Sequence, residues 1–334
     1  MPVKKLSFFL AALLILSLFS ACSDPSESIN KVRIGEVTRS IFYAPQYVAL
    51  EKGYFEEEGL EIELTTTFGG DKTMTALLTN GIDIALVGSE TSIYVYQQGS
   101  EDPVINFAQL TQTDGTFLMA REPHDTFSWD ALKGATFLGQ RKGGMPQMAG
   151  EYTLKQKGID PQSDLNLIQN VEFANIPTAF ASGTGDFVQL FEPQATIFEQ
   201  EGKGYIVASF GAESGHIPYT VFMSKQSFLE EHPDTVQKFT TALHRAQRWV
   251  QTHTPQEIAE VILPYFEDVD RTTVEKVVQR YLEQGSYAED PIVDETEWNR
   301  LQDMMESAGE LSERTPHGVL VDNQFAQQAK QSDS

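Results

Sequence analysis

The sequence is poor in cysteine and in basic residues, and both shortages limit what the protein can be. Cys22 is the only cysteine in 334 residues, so no disulfide forms within one chain and stability must come from a buried core. Lysine and arginine number 24 against 48 acidic residues, a net charge of −24. Long-range repulsion then opposes binding to nucleic acid or to anionic lipid. An anionic ligand in a cleft stays possible, because charge is screened beyond roughly 8 Å at physiological salt.

Motifs of metal and nucleophile chemistry are also missing. The six histidines form no H-E-x-x-H pattern and no close pair, no G-x-S-x-G occurs, and the single cysteine lies near the N-terminus. Zinc proteases and serine hydrolases depend on such patterns. We therefore predict no catalytic residue, no metal and no cofactor, and we expect a protein that is not an enzyme.

The N-terminus has the pattern of a lipoprotein signal peptide. Two lysines precede an apolar run over residues 6–19, which is short for a membrane span, and Cys22 follows at the expected cleavage boundary. This pattern predicts a signal peptide over residues 1–21, a lipid anchor on Cys22 at the outer face of the cell membrane, and a tether over residues 22–29. Two alternatives stay open: a secretory signal cleaved near Ala21, or a short transmembrane anchor.

Residues 35–64 have the pattern of one strand–loop–helix–strand unit. A short strand is followed by a loop with Arg39, Phe42 and Tyr43, and then by a proline that suits the first turn of a helix. Residues 60–64 alternate apolar and acidic side chains, as a strand does. Ligands of open α/β sheets lie outside the carboxyl ends of the strands, so the three loop residues are candidates for ligand binding. The alternative for the aromatic residues is a place in the core.

Two stretches of similar pattern, a constant 103 residues apart, indicate two similar lobes. Asp83 and Gly99 bracket a buried strand and a helix, and Asp186 and Gly202 bracket the same order. Two such units can resemble each other by chance, but the longer order of strand, loop, helix, strand and helix also recurs. We predict an α/β protein with a hinge and a ligand cleft between two lobes, and apolar C-terminal helices that cover lobe one. Lobe one is expected over residues 30–118 plus 219–330, and lobe two over residues 119–218.

The loop over residues 139–146 is the strongest local signal for ligand contact. It leaves a strand and enters a helix, and the amides of its two adjacent glycines can face an anionic or carbonyl oxygen. Its spacing fits neither a Walker A loop nor a dinucleotide fingerprint. The alternatives are a solvated surface loop here, tight turns for the glycines at other strand ends, and helix-start roles for the acids. The candidates outside the first loop are Gly69, Gly70, Ser89, Glu90, Gln112, Arg141, Gly143, Gly144, Glu192 and Tyr219.

Residues 45–60 carry a longer motif, P-x-Y-V-A-x-x-K-G-Y-F-x-x-E-G-L. With it the chain resembles the substrate-binding proteins of bacterial ABC importers for sulfonates, nitrate, taurine and thiamine-pyrimidine precursors. Members for pyrimidine precursors usually carry a tryptophan after the first strand and an Asn…His pair in the next loop. This chain has Val37, Ser40 and Tyr43 there, which argues against a pyrimidine ligand.

The resemblance implies a type II periplasmic-binding-protein fold and a specific cellular role. The expected role is to hold a small planar or anionic organic molecule outside the cytoplasm and to deliver it to a permease and ATPase complex. A membrane-anchored monomer is expected, with no nucleic-acid partner. Two alternatives remain: a pyrimidine-precursor biosynthesis enzyme on the same fold, like a yeast thiamine-pyrimidine synthase, and a lipoprotein that presents its ligand to a membrane sensor.

Overall fold

A first five-stranded sheet is built from both ends of the chain, which a computed structural model describes over residues 30–332. Its strands are Asn30–Glu36 (β1), Leu60–Thr66 (β2), Ile84–Gly88 (β3), Val104–Thr111 (β4) and Thr220–Lys225 (β10). They lie in the order β2-β1-β3-β10-β4. β1 is parallel to β2 and β3, and β10 is antiparallel to β3 and β4. The predicted signal peptide, the tether and Cys22 lie outside the described residues.

A second sheet repeats this plan with strands from the middle of the chain. The strands are Thr116–Ala120 (β5), Thr136–Leu138 (β6), Asn166–Ile168 (β7), Phe187–Phe191 (β8) and Tyr205–Ser209 (β9). Their order is β7-β6-β8-β5-β9, with β6 parallel to both neighbours and β5 antiparallel to both of its own. Each sheet therefore has three parallel strands followed by an antiparallel one, which confirms the prediction of two similar α/β lobes.

Helices cover both sheets. The N-terminal helices of the first lobe are Ala44–Glu51 (α1), Tyr54–Glu57 (α2), Gly70–Leu78 (α3) and Glu90–Gln97 (α4). The second lobe contains Met145–Gln156 (α5), Ile176–Ala181 (α6), Gln194–Gln200 (α7) and Phe210–Ser214 (α8). The C-terminal helices are Gln226–Glu231 (α9), Pro233–Thr252 (α10), Pro255–Ile262 (α11), Arg271–Gln284 (α12), Glu295–Ala308 (α13), His317–Leu320 (α14) and Gln324–Ser332 (α15).

Local sequence explains where several of these helices begin and end. Pro45 lies in the first turn of α1, and Gly53, with a φ of 70°, separates α1 from α2. α5 begins at Met145 with a proline at its second position, where the missing N–H costs no hydrogen bond. The side chain of Asp270 caps α12 by accepting a hydrogen bond from the amide of its third residue.

The chain passes between the sheets twice, and the first passage lies earlier than predicted. Residues 112–115 connect β4 in the first sheet to β5 in the second. The predicted boundary between residues 118 and 119 falls inside β5, where Leu118 pairs with Gln189 of β8. Backbone groups in a buried strand need partners along its whole length, so β5 cannot be divided between lobes. The second passage ends at β10, one residue after the predicted return.

The C-terminal helices reach beyond the lobe that they were predicted to cover. α10 packs on α1 and α15 in the first lobe, as expected. However, α12 also contacts α7, and α13 contacts α5, so both touch the second lobe. Arg280 on α12 lies 2.9 Å from Glu192 and 2.6 Å from Glu199, and the Tyr281 hydroxyl donates to the carbonyl of Gly115 at 3.0 Å. The first passage therefore lies against a helix that joins both lobes.

Candidate ligand-binding cleft

The two lobes enclose a cavity of about 760 Å³, here called the cleft. The first lobe contributes the loop after β1, the start of α3 and one side of α4, and the second contributes residues 140–146, part of α6 and the end of β8. These are the carboxyl ends of parallel strands in both sheets, where ligands of open α/β sheets bind. The predicted residues that line the cleft are Arg39, Phe42, Tyr43, Gly69, Gly70, Glu90, Arg141, Gly143, Gly144, Glu192 and Tyr219.

Ser89 and Gln112 were also predicted to contact a ligand, but they lie outside the cleft lining. The buried Ser89 hydroxyl donates to the carbonyl of Pro218. The Gln112 side-chain amide donates to the carbonyl of Gly285 at 3.0 Å. Both residues follow strand ends, yet they satisfy backbone carbonyls near the two passages between lobes. The prediction of ligand contact is corrected for these two residues.

An aromatic cluster forms the floor of the cleft. The ring of Phe42 lies 4.9 Å from that of Tyr281, 5.6 Å from Tyr219 and 6.2 Å from Phe191 in the second lobe. Tyr43 lies beside it at 6.0 Å. Phe42, Tyr43 and Tyr219 are buried and also line the cavity, so the core alternative and the ligand-facing alternative both apply. Burial raises the pKa of Tyr43 and of Tyr219, so both hydroxyl groups stay neutral.

The first loop is fixed by a buried acid that sequence reasoning missed. Glu36, the last residue of β1, accepts hydrogen bonds from the Tyr47 hydroxyl at 2.6 Å, the Gln46 amide at 3.0 Å and the Thr66 hydroxyl at 2.9 Å. Burial raises the pKa of Glu36 although these donors oppose the shift. Arg39 approaches the same carboxylate at 3.4 Å. Glu36 therefore holds Arg39 at the edge of the cleft.

The glycines of the 139–146 loop are only partly available to a ligand. The Gly143 amide already donates to Oε1 of Gln147 at 2.9 Å, so the prediction of a free amide at this position is corrected. Its carbonyl accepts a hydrogen bond from the Tyr94 hydroxyl of the first lobe at 3.2 Å. Gly144 has open space, because a Cβ there would lie 3.7 Å from the nearest atoms. The loop is thus tied to both lobes before any ligand enters.

Basic residues of the same loop form ion pairs at the cleft edge. Arg141, whose side chain is 45% exposed, lies 3.3 Å from Asp71 on α3 and 3.4 Å from Glu172 in the second lobe. Lys142 lies 3.8 Å from Glu310, which follows α13. Pairs this exposed contribute roughly 0–1 kcal/mol each. Their geometric effect is clearer: the contact between Arg141 and Asp71 spans the cleft.

Glu192 lines the cleft, but the protein itself uses its carboxylate. The amide of Thr196 donates to it at 2.8 Å and the hydroxyl of Thr196 at 2.7 Å, while Arg280 lies 2.9 Å away. These contacts place a buried acid at the N-terminus of α7, where the helix dipole favours negative charge. The helix-start alternative therefore describes Glu192 well.

Glu90 is the acid in the cleft that keeps an unused oxygen. Its side chain is buried, and Oε1 accepts a hydrogen bond from the Met145 amide across the cleft at 3.3 Å. Oε2 is buried and has no hydrogen-bond partner. Burial raises the pKa of Glu90 to about 8, only partly opposed by backbone amides. A carboxyl group with these properties is mostly protonated at neutral pH.

Sequence reasoning missed further lining residues. Tyr94 had a usable signal, because it lies one helical turn after Glu90 on the same face of α4. Phe191 directly precedes Glu192 at the same strand end. The segment before α6 offered no motif at all. The cleft-lining residues that the sequence analysis did not predict include Asp71, Tyr94, Gln140, Met145, Phe173, Ile176 and Phe191.

Residues 30–332 contain neither a cluster of side chains that could hold a metal ion nor a helix that could cross a membrane. No group of three or more His, Cys, Asp or Glu side chains in this range is arranged to hold a metal ion. Among the helices of this range, none has both the length and the apolar character that crossing a membrane requires.

Comparison with known proteins assigns the family. The model of the NMT1-like family matches residues 26–263. The chain belongs to this family. The chain is 57% identical, over 97% of both chains, to YtlA from Bacillus subtilis (strain 168). The name of that relative describes it as a provisionally assigned binding protein.

Solved structures support the same fold. The alkanesulfonate-binding protein SsuA from Xanthomonas axonopodis pv. citri, bound to MOPS, superposes with a TM-score of 0.70 at 15% identity, covering 88% of this chain and 98% of its own. The nitrate-binding protein NrtA from Synechocystis PCC 6803 gives 0.71 at 16% identity, covering 91% and 89%. The predicted periplasmic-binding-protein fold is confirmed.

The buried state of Glu90 predicts a pH-dependent stability difference. The pKa of Glu90 is near 4.5 in an unfolded chain and about 8 in the folded protein. As pH rises between these two values, Glu90 ionises in the unfolded chain but not in the folded protein, so the free energy of unfolding decreases. The Glu90→Gln variant has no carboxyl group to ionise at this position. Its free energy of unfolding should therefore increase relative to that of the native chain as pH rises, by at most about 1.4 kcal/mol per pH unit. Urea unfolding from pH 5 to pH 9 measures this difference.

The exposed Glu61→Gln variant serves as the matched control for that series, since its side chain lies on the surface. The stability difference between Glu90→Gln and the native chain should grow with pH, whereas that of Glu61→Gln should stay nearly flat. Parallel curves for Glu90→Gln and the native chain would show that the acid is not held in its protonated form.

Proposed function

We propose that this protein is the extracytoplasmic solute-binding component of an ABC import system and that the cleft holds its ligand. The observation that carries the proposal is a cavity of about 760 Å³ with walls from both lobes, a size typical of small-molecule sites. The names of the relatives support it, since SsuA and NrtA are binding proteins for an alkanesulfonate and for nitrate. In this role the ligand passes unchanged to a permease driven by an ATPase.

The lobes are proposed to close on the ligand about the two passages of chain. Residues 112–115 form one of them, and the segment between β9 and β10 contains the other. Contacts that already span the cleft, from Tyr94 to Gly143 and from Arg141 to Asp71, would tighten in the closed form. We take lobe one as residues 30–111 plus 220–332 and lobe two as residues 116–214.

Direct binding is the first test. A thermal-shift screen of the chain from residue 22 onward should cover sulfonates, nitrate, pyrimidines, flavin precursors and aromatic acids. A ligand at about 100 times its Kd adds roughly 2.7 kcal/mol of stability. Small-angle scattering with that ligand should give a smaller radius of gyration, and the recovered ligand should be chemically intact. Identical scattering profiles would refute closure, and a converted ligand would support an enzyme instead.

Arg141 provides a residue-level test of the cleft. Arg141→Ala should lower the affinity for the ligand found in the screen by about 1.5–3 kcal/mol, because a charged hydrogen-bond donor is lost from the cleft edge. Lys203→Ala is the matched control. Lys203 is a half-exposed cation that pairs with Glu201 outside the cleft. Calorimetric titrations in which both variants bind with the native affinity would remove the 139–146 loop from the site.

The membrane partner is proposed from the N-terminal sequence. We infer that Cys22 is lipidated after removal of residues 1–21, because acyl chains on a single cysteine explain its position at the end of the apolar run. Cys22→Ser should move the protein from the membrane fraction to the soluble fraction, as immunoblots of fractionated cells would show. Retention of the variant in washed membranes would instead indicate an uncleaved anchor helix.

Transport and signalling use the same binding chemistry, so a genetic experiment is needed to distinguish the two functions. If the protein serves an importer, deletion of the gene for its cognate permease should abolish uptake of radiolabelled ligand. Normal uptake together with a lost transcriptional response would favour a lipoprotein that presents its ligand to a sensor.

A further inference from the structure

Glu90 is a buried carboxyl group on the cleft wall, and one of its two oxygens has no hydrogen-bond partner. It is the first residue of α4, its side chain is only 5% exposed, and it lines the cleft. Oε1 accepts from the Met145 amide, whereas the buried Oε2 has no partner. Buried polar atoms in folded proteins are nearly always paired. Oε2 of Glu90 is one of several exceptions among residues 30–332, and it belongs to a side chain on the wall of the cleft.

The backbone around Glu90 is shaped to admit this side chain. Gly88 precedes it by two residues, and a Cβ at that position would lie 2.1 Å from Oε2 of Glu90. The contact is far inside van der Waals distance, so a larger residue at position 88 would displace the carboxyl group. The glycine thus keeps open the space that the unpaired oxygen occupies.

The N-terminus of α5 is already occupied by Glu90. Free amides at the start of a helix commonly bind anionic ligands. In this helix the first amide, that of Met145, donates to Glu90, and the second residue, Pro146, has no N–H. An anionic ligand group at this position would therefore face a carboxyl oxygen in place of two free donors.

The groups of the cleft that respond to the charge of Glu90 are tyrosines. The titratable groups that feel its charge are the hydroxyls of Tyr43, Tyr94 and Tyr219, and burial together with Glu90 raises the pKa of each. Among residues 30–332, none of the ion pairs found at the cleft includes Glu90: Arg39 pairs with Glu36, and Arg141 pairs at the outer edge. Once Glu90 is ionised, negative charge brought to Oε2 would meet unscreened repulsion in a site of low dielectric.

We infer that the cleft wall at Glu90 binds a ligand group that donates hydrogen bonds to the Glu90 carboxylate, such as an amidinium, an ammonium or an amide N–H, and that with Glu90 ionised it rejects carboxylate and sulfonate groups. This inference rests on the proposed solute-binding function and narrows its ligand class. Aromatic side chains beside Glu90, such as Tyr43 and Tyr219, provide flat surfaces that suit a planar ligand body.

A proton is released when such a cation binds. The ligand pairs with the ionised form of Glu90, whose pKa in the empty cleft is about 8. Below that pH the carboxyl group must first lose its proton, so affinity for a cation should rise up to about tenfold per pH unit toward pH 8 and then level off. The tyrosines that face Glu90 stay neutral over this range because their pKa values are raised.

A matched series of three probes tests the inference directly. Benzamidinium, benzamide and benzoate have the same ring and nearly the same size, but they present a cation, a neutral donor and an anion. Titration calorimetry of the chain from residue 22 onward at pH 6, 7, 8 and 9 should give the affinity order benzamidinium, benzamide, benzoate at pH 9, where Glu90 is ionised. Measurements in two buffers of different ionisation enthalpy should detect proton release with benzamidinium at pH 7.

Glu90→Gln is the decisive variant and Glu61→Gln is its surface control. Glutamine has nearly the same shape and can still accept from the Met145 amide, but it carries no charge. We expect at least a tenfold loss of benzamidinium affinity and the disappearance of its pH dependence and proton release, while Glu61→Gln binds as the native chain does. Circular dichroism and thermal melting should show that both variants are folded.

The outcomes separate this inference from the function beneath it. Benzoate binding as tightly as benzamidinium at pH 9, or an unchanged benzamidinium affinity in Glu90→Gln at that pH, would overturn the inference and leave solute binding intact. A second case arises when none of the three probes binds but the solute screen yields a ligand. In that case, an anionic ligand whose affinity is unchanged in Glu90→Gln overturns the inference. A hydrogen-bond-donating ligand that Glu90→Gln binds more weakly supports the inference. If no solute binds at all, the proposed function and the inference fail together.

Discussion

The cost of burying carboxylates is the constraint on which the interior of this protein depends. An acid removed from water needs donors, a cation or a proton. Glu36 is stabilised by three neutral donors and the edge of a guanidinium group. Glu192 is stabilised by Thr196 and Arg280. Asp114, in the first passage between lobes, accepts from the amide of Thr116 at 2.7 Å, and burial raises its pKa to about 6. Glu90 and Asp114 each keep a buried oxygen without a hydrogen-bond partner, and of these two acids only Glu90 lines the cleft.

The helix α12 links this electrostatic order to the arrangement of the lobes. Arg280 holds Glu192 of the second lobe, and the next residue, Tyr281, donates to the carbonyl of Gly115. One turn further along, the Gln284 amide donates to the carbonyl of Asp114 at 2.8 Å. Three neighbouring residues of a C-terminal helix thus contact both the cleft wall and the passage on which the lobes would turn. A change in the angle between lobes must change these contacts.

Sequence patterns were sufficient for the fold and for the position of the cleft. Alternating and helical periodicities gave the strands and helices because each depends on neighbours within a few residues. The carboxyl ends of strands then indicated the loops that meet at the cleft, including those of Tyr43 and Arg141. The limits of the 112–115 passage were harder to place, since a strand looks the same whichever sheet receives it.

The chemical state of each candidate could not be predicted in the same way. Gln112 bonds to a carbonyl 173 residues away, and Glu192 meets Arg280 at a separation of 88 residues. No local pattern encodes such partners. Gly143 shows the same limit at short range, because its amide is taken by a side chain only four residues later. Whether a residue is free for a ligand depends on tertiary contacts more than on its type.

The order of strands has a consequence for how the chain folds as it is synthesised. All strands of the second sheet lie within residues 116–209, so that sheet can assemble from one continuous stretch. The first sheet cannot, because β3 must wait for β10, the strand that separates it from β4. As the chain emerges from a ribosome, β3 therefore presents an open apolar edge until the whole second lobe has followed. Exposed edges of this kind invite pairing with other chains, so the interval before residue 220 emerges is when the nascent protein most needs a chaperone.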